Sequence, residues 1–219
     1  VIECMKLVSD NGKADPDDVL IVSEKGGSVF NIESIEGVVV DREPVRNDMP
    51  AHIVNGRIAL LNYPLEGKGP RTESSRLLIS DPYILKDMIY SEDSLLLKEI
   101  EKVKEIGANV ICCQKGISEA AGELLSKFGI FAIKRVSNRD MKRIAKASGG
   151  EIVNSVDELR PSTLGKVGLV DVKKIGKNKY SFFKGFPNKS AATLVVRGGS
   201  IHVIEGIVGE LKCALYSVS

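Results

Sequence analysis

Four cysteines and two histidines are the residues of this chain whose side chains most often bind metals or act as nucleophiles. Cys4, Cys112, Cys113 and Cys213 show neither zinc-ligand spacing nor the spacing of a disulfide framework. Cys112 and Cys113 are adjacent in an apolar run. On a strand they would point to opposite faces, and we predict that both are small buried hydrophobes. The cysteines therefore predict neither a metal site nor a redox site.

Glycine pairs and the two histidines are the next candidates for chemistry. The pairs at 26–27, 149–150 and 198–199 are not followed by the Lys-Ser/Thr of a phosphate loop, so no nucleotide cradle is predicted. His52 and His202 lack a His, Cys or carboxylate partner at metal-ligand spacing. We predict that both are ordinary surface or cap residues.

The composition is that of a soluble globular protein, with 219 residues, 43% hydrophobic content and a net charge of +2. Acidic and basic residues alternate along the predicted helices, which indicates solvated charged faces and no nucleic-acid partner. The apolar stretches are far shorter than the roughly 20 residues that span a bilayer, and no signal-like segment opens the chain, so no membrane partner is expected. We expect a cytoplasmic protein.

The middle of the chain alternates between short apolar strands and amphipathic helices. Strands are predicted at 58–61, 110–113, 130–133 and 151–153. Between them, Ser118 caps a helix that Gly129 ends, and a further helix starts at Asn138. Because strands that alternate with helices need crossover connections, the pattern predicts an α/β fold whose parallel sheet is covered by helices on both faces.

Two helical runs precede strand 110–113. The first begins at Asp81-Pro82, where the Asp side chain can accept hydrogen bonds from the first turn. Its apolar side consists of Ile84, Leu85, Met88 and Ile89. The second run spans 92–106 and is ended by Gly107. Its apolar stripe consists of Leu96, Ile100 and Val103.

The flanks of the chain differ from its middle. Segments 167–175 and 180–186 predict an antiparallel hairpin, and 193–196 a strand that leads to a last helix capped by Ser200. The apolar side of that helix is Val203, Ile204, Ile207, Leu211 and Leu215. We therefore predict a smaller discontinuous α/β domain, 1–41 and 190–219, into which a larger domain, 42–189, is inserted. The ends lack helix start and stop signals, so we expect a piece of a longer chain.

Five landmarks in a fixed order make the pattern more specific. They are Gly37 to Asp41 with Met49-Pro50, Ile58 to Leu61 with Pro64-Leu65-Glu66, Gly107 to Ile117, Lys134 to Val136 with Asp140-Met141, and Arg197-Gly198-Gly199. Together they resemble the landmarks of a group II chaperonin of the thermosome family, over nearly the whole chain.

The resemblance implies a division of labour. Residues 42–189 would be the apical domain, with an antiparallel hairpin and a helical protrusion at about 77–104 that acts as a lid, and the flanks would be the intermediate domain. Unfolded polypeptide would contact Ile84, Leu85, Met88 and Ile89 on the protrusion and Glu119, Gly122, Glu123 and Ser126 on the outer side of the helix after Ser118. Arg197, Gly198 and Gly199 would act as a hinge.

The same resemblance implies partners and cofactors for the intact parent. It would be a molecular chaperone and an ATPase with bound ATP and Mg²⁺, assembled with sister subunits in a double ring, whereas this piece would hold no cofactor and would not itself be an enzyme. One position departs from the family, since Cys213 stands where the family has an aspartate that positions the attacking water. A thiol does not supply that charge, so we expect slow hydrolysis unless Glu210, one turn earlier, replaces it.

Alternatives remain for each assignment. The chain could be a stand-alone module that binds one folded partner, or a small-molecule enzyme that uses the crevice at the strand ends near Gln114 and Lys115. The apolar residues at 84–89 could pack onto Leu96 and Ile100. The polar residues at 119–126 could be a solvated face.

Overall fold

The computed structural model describes residues 19–25, 31–66, 82–175, 178–188 and 191–218. The predicted cap at Asp81 and the glycine pair at 26–27 lie outside these residues. The side chains of residues 82–93 are likewise not described.

The strands of the described residues form one mixed sheet. They are β1 (Val19–Lys25), β2 (Asn31–Val40), β3 (His52–Leu61), β4 (Val110–Cys113), β5 (Phe131–Ile133), β6 (Ile152–Val153), β7 (Gly165–Ile175), β8 (Asn178–Lys184) and β9 (Ala192–Gly198). Their order is β1-β9-β2-β8-β7-β3-β4-β5, with β6 beside β3. β3, β4, β5 and β6 pair in parallel, whereas β7 and β8 form an antiparallel hairpin. The predicted α/β class, the parallel strands and the hairpin are therefore confirmed.

Four α-helices are described: α1 (Pro82–Glu105), α2 (Glu119–Lys127), α3 (Asn138–Ser148) and α4 (Ile201–Val218). The predicted cap at Ser118 is confirmed, because its side chain accepts from the Ala121 amide at 3.2 Å. Helix α3 starts at Asn138 as predicted, and Gly149 ends it in the left-handed conformation that glycine adopts without strain.

The parallel strands are buried on both faces. On one face Leu61, Ile111 and Cys113 pack against α1 and α2, and on the other Leu60, Cys112 and Ile133 pack with α3. The adjacent cysteines thus lie in two different cores. The predictions that they point to opposite faces and are buried are confirmed.

The two helical runs predicted before β4 are one helix. α1 is continuous over 24 residues, about 36 Å at 1.5 Å per residue. Its second half is anchored in the core by Leu96, Ile100 and Val103. The side chains at 84–89 lie outside the described part of the chain, so the alternative that they pack onto Leu96 and Ile100 stays a prediction.

Strand β2 exchanges partners at Gly37. Residues 31–36 pair with β9, whereas residues 37–40 pair with β8. Gly37 has φ 138°, and a Cβ there would collide with the Phe183 carbonyl, so glycine is required. The buried Thr193 hydroxyl bridges the exchange, donating to the Gly37 carbonyl at 2.8 Å and accepting from the Val39 amide at 3.3 Å. β2 therefore pairs with strands of both predicted domains, β9 of the smaller one and β8 of the larger one.

Helix α4 packs on β1 and β9 through the buried Ile204 and Leu215. Ser200 accepts from the Val203 amide at 3.4 Å, in agreement with its predicted role as a cap. Val203, which belongs to the predicted apolar side of this helix, is 43% exposed. Within the described residues, no helix is long and apolar enough to cross a membrane.

Candidate functional site

The predicted binding residues of α2 do not all face outwards. Glu119 and Glu123 are exposed and Ser126 is half-buried, as an outer side requires. Gly122 is buried, and a Cβ added to it would lie 2.9 Å from Cγ1 of Val45. The placement of Gly122 on the outer side is therefore wrong, because the chain at 45–48 crosses the helix at this point.

The segment 45–48 is held in place at both ends. The Val45 amide donates to the Ala132 carbonyl at 2.9 Å, next to a bridge between Pro44 and Ile133. At the other end, the Met49 side chain is buried in the core beneath α2. The edge of β5 and the core thus fix this segment against the helix.

Charged groups of the segment pair with each other beside α2. Nε of Arg46 donates to the two carboxylate oxygens of Asp48 at 3.0 and 3.2 Å, and Nη2 donates to one of them at 3.1 Å. This hydrogen bonding lowers the pKa of Asp48, with a smaller contribution from Ser126. On the helix, Nζ of Lys127 lies 2.8 Å from Oε1 of Glu123 and lowers the pKa of Glu123.

Apolar side chains lie next to these charges and are not fully covered. Val45, Leu124 and Phe128 are half-buried at the margin of the core. Nζ of Lys104, from the last turn of α1, lies 4.4 Å from the centroid of the Phe128 ring. We call the whole patch the α2 surface, which consists of Val45, Arg46, Asp48, Glu119, Glu123, Leu124, Ser126 and Phe128.

Sequence reasoning missed the segment 45–48. Arg46 and Asp48 have the right spacing for a local ion pair ahead of Met49-Pro50, but nothing in the sequence places that pair on α2. The contact depends on the edge of β5, which is a tertiary feature. Ile84, Leu85, Met88 and Ile89 lie in the first half of α1, and their side chains fall outside the described residues. Their role as binding residues stays a prediction.

A crevice does lie at the carboxyl ends of the parallel strands, with a volume of about 290 Å³. It is lined by Tyr63 after β3, Val156 after β6 and Leu96 of α1, whereas Gln114 and Lys115 do not border it. Burial raises the pKa of Tyr63. An ion pair between Lys102 and Asp157 at 2.9 Å occupies the rim. Ser155 and the carboxylates Glu66 and Glu99 also line the crevice.

The cysteines and histidines build no reactive centre in the described residues, where no group of three or more His, Cys, Asp or Glu could hold a metal ion. Burial raises the pKa of Cys113 to about 11 and raises that of Cys112 as well, so neither thiol is activated. Cys213 is exposed on α4, one turn after the exposed Glu210. Nδ1 of His52 lies 3.9 Å from Asp171, which also pairs with Lys173 at 3.4 Å.

The predicted hinge residues lie at the end of β9. Arg197 and Gly198 are paired with β1, opposite Glu24 and Lys25. A Cβ on Gly198 would lie 2.7 Å from Cγ1 of Ile204, whereas Gly199 has open space around it. Of the three residues, Gly199 alone lies outside the strand, and a hinge role for them stays a prediction.

Comparisons with known proteins agree with one another. The TCP-1/cpn60 chaperonin family profile matches residues 1–219. The chain is 37% identical over 219 residues to thermosome subunit beta of Sulfurisphaera tokodaii, which covers 100% of this chain and 40% of that protein. It is 36% identical over 223 residues to thermosome subunit alpha of Thermoplasma acidophilum, and this match covers 100% of this chain and 41% of that protein.

The fold comparison points the same way. An open-state monomer of a group II chaperonin from Methanococcoides burtonii matches with a TM-score of 0.78 and 28% identity, over 99% of this chain and 49% of that chain. The chain therefore spans 40% to 41% of the length of the two curated relatives and about half of the solved structure.

Proposed function

Because the chain belongs to the TCP-1/cpn60 chaperonin family, we propose that its α2 surface holds segments of non-native polypeptide. The resemblance to thermosome subunits that the sequence motifs indicated is confirmed, and so is the fold class. What the α2 surface binds goes beyond family membership and needs its own argument.

One observation carries this proposal: half-buried apolar side chains and paired charges share a single shallow surface. Unfolded polypeptides differ from folded ones mainly in their exposed apolar groups, which Val45, Leu124 and Phe128 can cover. The charges of Arg46, Asp48, Glu119 and Glu123 add selectivity without deep desolvation. Such a surface supports weak, reversible holding of many sequences, because no closed pocket demands one particular shape.

The proposal for the intact parent is broader. We propose a cytoplasmic ring of sister subunits in which ATP turnover moves a lid that contains the first half of α1. ATP and Mg²⁺ would bind to parts of the parent other than the described residues, which do not fit a nucleotide. Gly149-Gly150 follows the C-terminal end of α3, the wrong end of a helix for phosphate, and Ile204 occupies the space beside Gly198.

Cys213 gives the ATPase proposal a test of its own. Its exposed position on α4 leaves the thiol open to a neighbouring domain. If an aspartate at this position is needed to orient water, Cys213→Asp in the full-length protein should speed phosphate release. Equal rates for the two proteins would remove the proposed link between Cys213 and slow hydrolysis.

The holding function is tested by suppression of aggregation. The chain should reduce light scattering by several unrelated unfolded proteins, and Leu124→Ser should weaken this effect because it removes apolar contact area from the α2 surface. Ala145→Ser, at a half-buried position on α3, is the matched control and should leave suppression unchanged. Suppression of none of the unfolded proteins would favour a module that binds one folded partner and would refute the proposal.

A further inference from the structure

A second polar groove lies far from α2 in the sheet order, between the β7–β8 hairpin and the strands β2 and β9. Its volume is about 550 Å³. Glu33, Ser34 and Ile35 of β2 form one wall, and Lys173 to Ile175 of the hairpin form the other. We call it the cationic groove.

The positive charges that line this groove are poorly compensated. Lys173 pairs with Asp171 at 3.4 Å, whereas Lys174, Lys184 and Arg197 have a single carboxylate, Glu33, among the residues that line the groove. Nη2 of Arg197 lies 3.8 Å from Glu33, which is too far for a hydrogen bond. Nε of Arg197 is buried and has no hydrogen-bond partner among the described residues. The Arg197 side chain as a whole is 31% exposed, so its guanidinium can donate to an anionic group in the groove.

The floor of the groove is apolar. Phe182, Ile35 and Ile175 are buried in a small core between the hairpin and the strands. Nζ of Lys173 and of Lys184 lie 5.9 and 5.7 Å from the centroid of the Phe182 ring, so both cations hang over this floor. Cations and apolar groups therefore lie side by side in the groove.

The edge of β2 beside the groove offers backbone hydrogen bonds. β8 pairs with β2 over Gly37 to Val40 and turns away after Lys184. Over 31–36, β2 pairs with β9 on one side, and no described strand pairs with its other edge. An extended peptide can add to such an edge as a further strand.

We propose that the cationic groove binds an extended, acidic polypeptide segment in which carboxylates alternate with apolar residues. The carboxylates would meet Lys174, Lys184 and Arg197, and the apolar residues would lie over Phe182. This site goes beyond the proposed function of the α2 surface, because it would stand even if the α2 surface bound nothing.

The layout favours a polypeptide over a small anion. A small anion needs several donors within hydrogen-bond distance of one point. Here the cations belong to three strands, β7, β8 and β9, and are spread over a long groove with an apolar floor. Only a chain with several carboxylates reaches all of them at once.

Fluorescence anisotropy with a labelled peptide that alternates Glu and Val tests this site in the full chain. We expect saturable binding that weakens with salt, and no binding of the counterpart that alternates Lys and Val. Lys174→Glu/Lys184→Glu should weaken binding of the acidic peptide by about tenfold or more. Lys142→Glu/Lys166→Glu changes the net charge equally at exposed positions outside the groove and should change affinity less than about twofold.

A charge swap separates specific docking from loss of structure. The Lys174→Glu/Lys184→Glu variant should gain affinity for the Lys-Val peptide, which a misfolded protein would not do. Lys174→Gln/Lys184→Gln removes the two charges but keeps most of the side-chain length. Its affinity for the acidic peptide should lie between that of the wild type and that of Lys174→Glu/Lys184→Glu. These variants leave the α2 surface intact, so suppression of aggregation should persist if the proposed function holds.

The proposal would be overturned by no saturable binding of the acidic peptide, an equal loss of affinity in the control variant, no gain of affinity for the Lys-Val peptide, or displacement by inorganic phosphate at similar concentration. The last result would reveal a small-anion site. Tighter binding of a single-stranded oligonucleotide, with the same dependence on Lys174 and Lys184, would assign the groove to nucleic acid instead.

Discussion

Helices α2 and α3 pack on opposite faces of the same parallel strands, yet they differ in how completely they bury their apolar side chains. Both begin at a serine cap, Ser118 and Ser137. The large apolar residues of α3, Met141 and Ile144, are completely buried. α2 buries Leu125 but leaves Leu124 and Phe128 half-covered. α3 therefore buries its large apolar residues fully, whereas α2 leaves apolar area uncovered on the side that we propose for binding.

The surroundings of the two helices sharpen this contrast. The outer residues of α3 include the exposed Arg139, Lys142 and Lys146. The outer side of α2 is crossed by the segment 45–48, whose ion pair lies beside its own charges. A solvated face needs no such segment, so the α2 surface has more structure than solubility requires.

The largest expected effect should not distinguish the helices. Leu125→Ala and Ile144→Ala each empty a fully buried position and should each lower the free energy of unfolding by about 2 to 5 kcal/mol. Urea unfolding with an unchanged m-value measures this loss. A cost below about 1 kcal/mol for Leu125→Ala would mean that α2 is not part of the core framework.

Charge reversal on the outer sides should distinguish them. Glu119→Lys/Glu123→Lys should change the affinity for a basic unfolded client by about tenfold, because the α2 surface loses two carboxylates and gains two cations. Arg139→Glu/Lys142→Glu on α3 is the control and should change the affinity for this client by less than about twofold. Both variants should stay within about 1 kcal/mol of the wild-type free energy of unfolding. Client binding measured by anisotropy gives the answer, and equal responses would erase the contrast between the helices.

Gly122 links the helix to the crossing segment. Gly122→Ala gains up to about 1 kcal/mol of helix propensity, but its Cβ crowds Cγ1 of Val45 at 2.9 Å. We expect little net change in stability, whereas Val45→Ala/Gly122→Ala should recover the propensity gain with a coupling of about 1 kcal/mol. A thermodynamic cycle from urea unfolding tests this. Strict additivity would show that the segment does not rest on the helix.

The smallest expected effect is a difference in thiol reactivity between Cys112 and Cys113, which lie on opposite faces of the sheet. Cys113 lies under α2 with a pKa raised to about 11, and Cys112 lies on the α3 side. In a Cys4→Ser background, a thiol reagent at pH 8 should modify Cys213 at once and neither buried thiol. As pH rises towards 11, Cys113 should gain thiolate and react. If the remaining buried cysteine is modified at the same rate in the Cys113→Ala and Cys112→Ala variants at high pH, the two faces of the sheet are equally accessible to the reagent.

The sequence predicts what local patterns control. The apolar run 110–113, the cap at Ser118 and the start of α3 at Asn138 follow from period, caps and glycines, and all are confirmed. The break predicted within α1 is wrong, because the polar residues around 91–94 do not interrupt the helix. Serine and aspartate lower helix propensity by less than about 1 kcal/mol each, which does not end a helix of this length.

The candidate site is less accessible to sequence reasoning than the fold. Glu119 and Glu123 follow from helix period, whereas the burial of Gly122 and the position of Arg46 depend on segment 45–48 reaching β5. The length of β2 likewise depends on β9, a partner more than 150 residues away through Thr193. Long-range pairings of this kind leave no period in the sequence.

Photo-crosslinking from the two helices tests the central claim most directly. A photoreactive residue is placed at Glu123 on the α2 surface or at Lys142 on α3, and each protein is irradiated with several unrelated unfolded clients. The account predicts adducts with every client from position 123 and background levels from position 142. Equal yields from both positions, or adducts from position 142 alone, would contradict it.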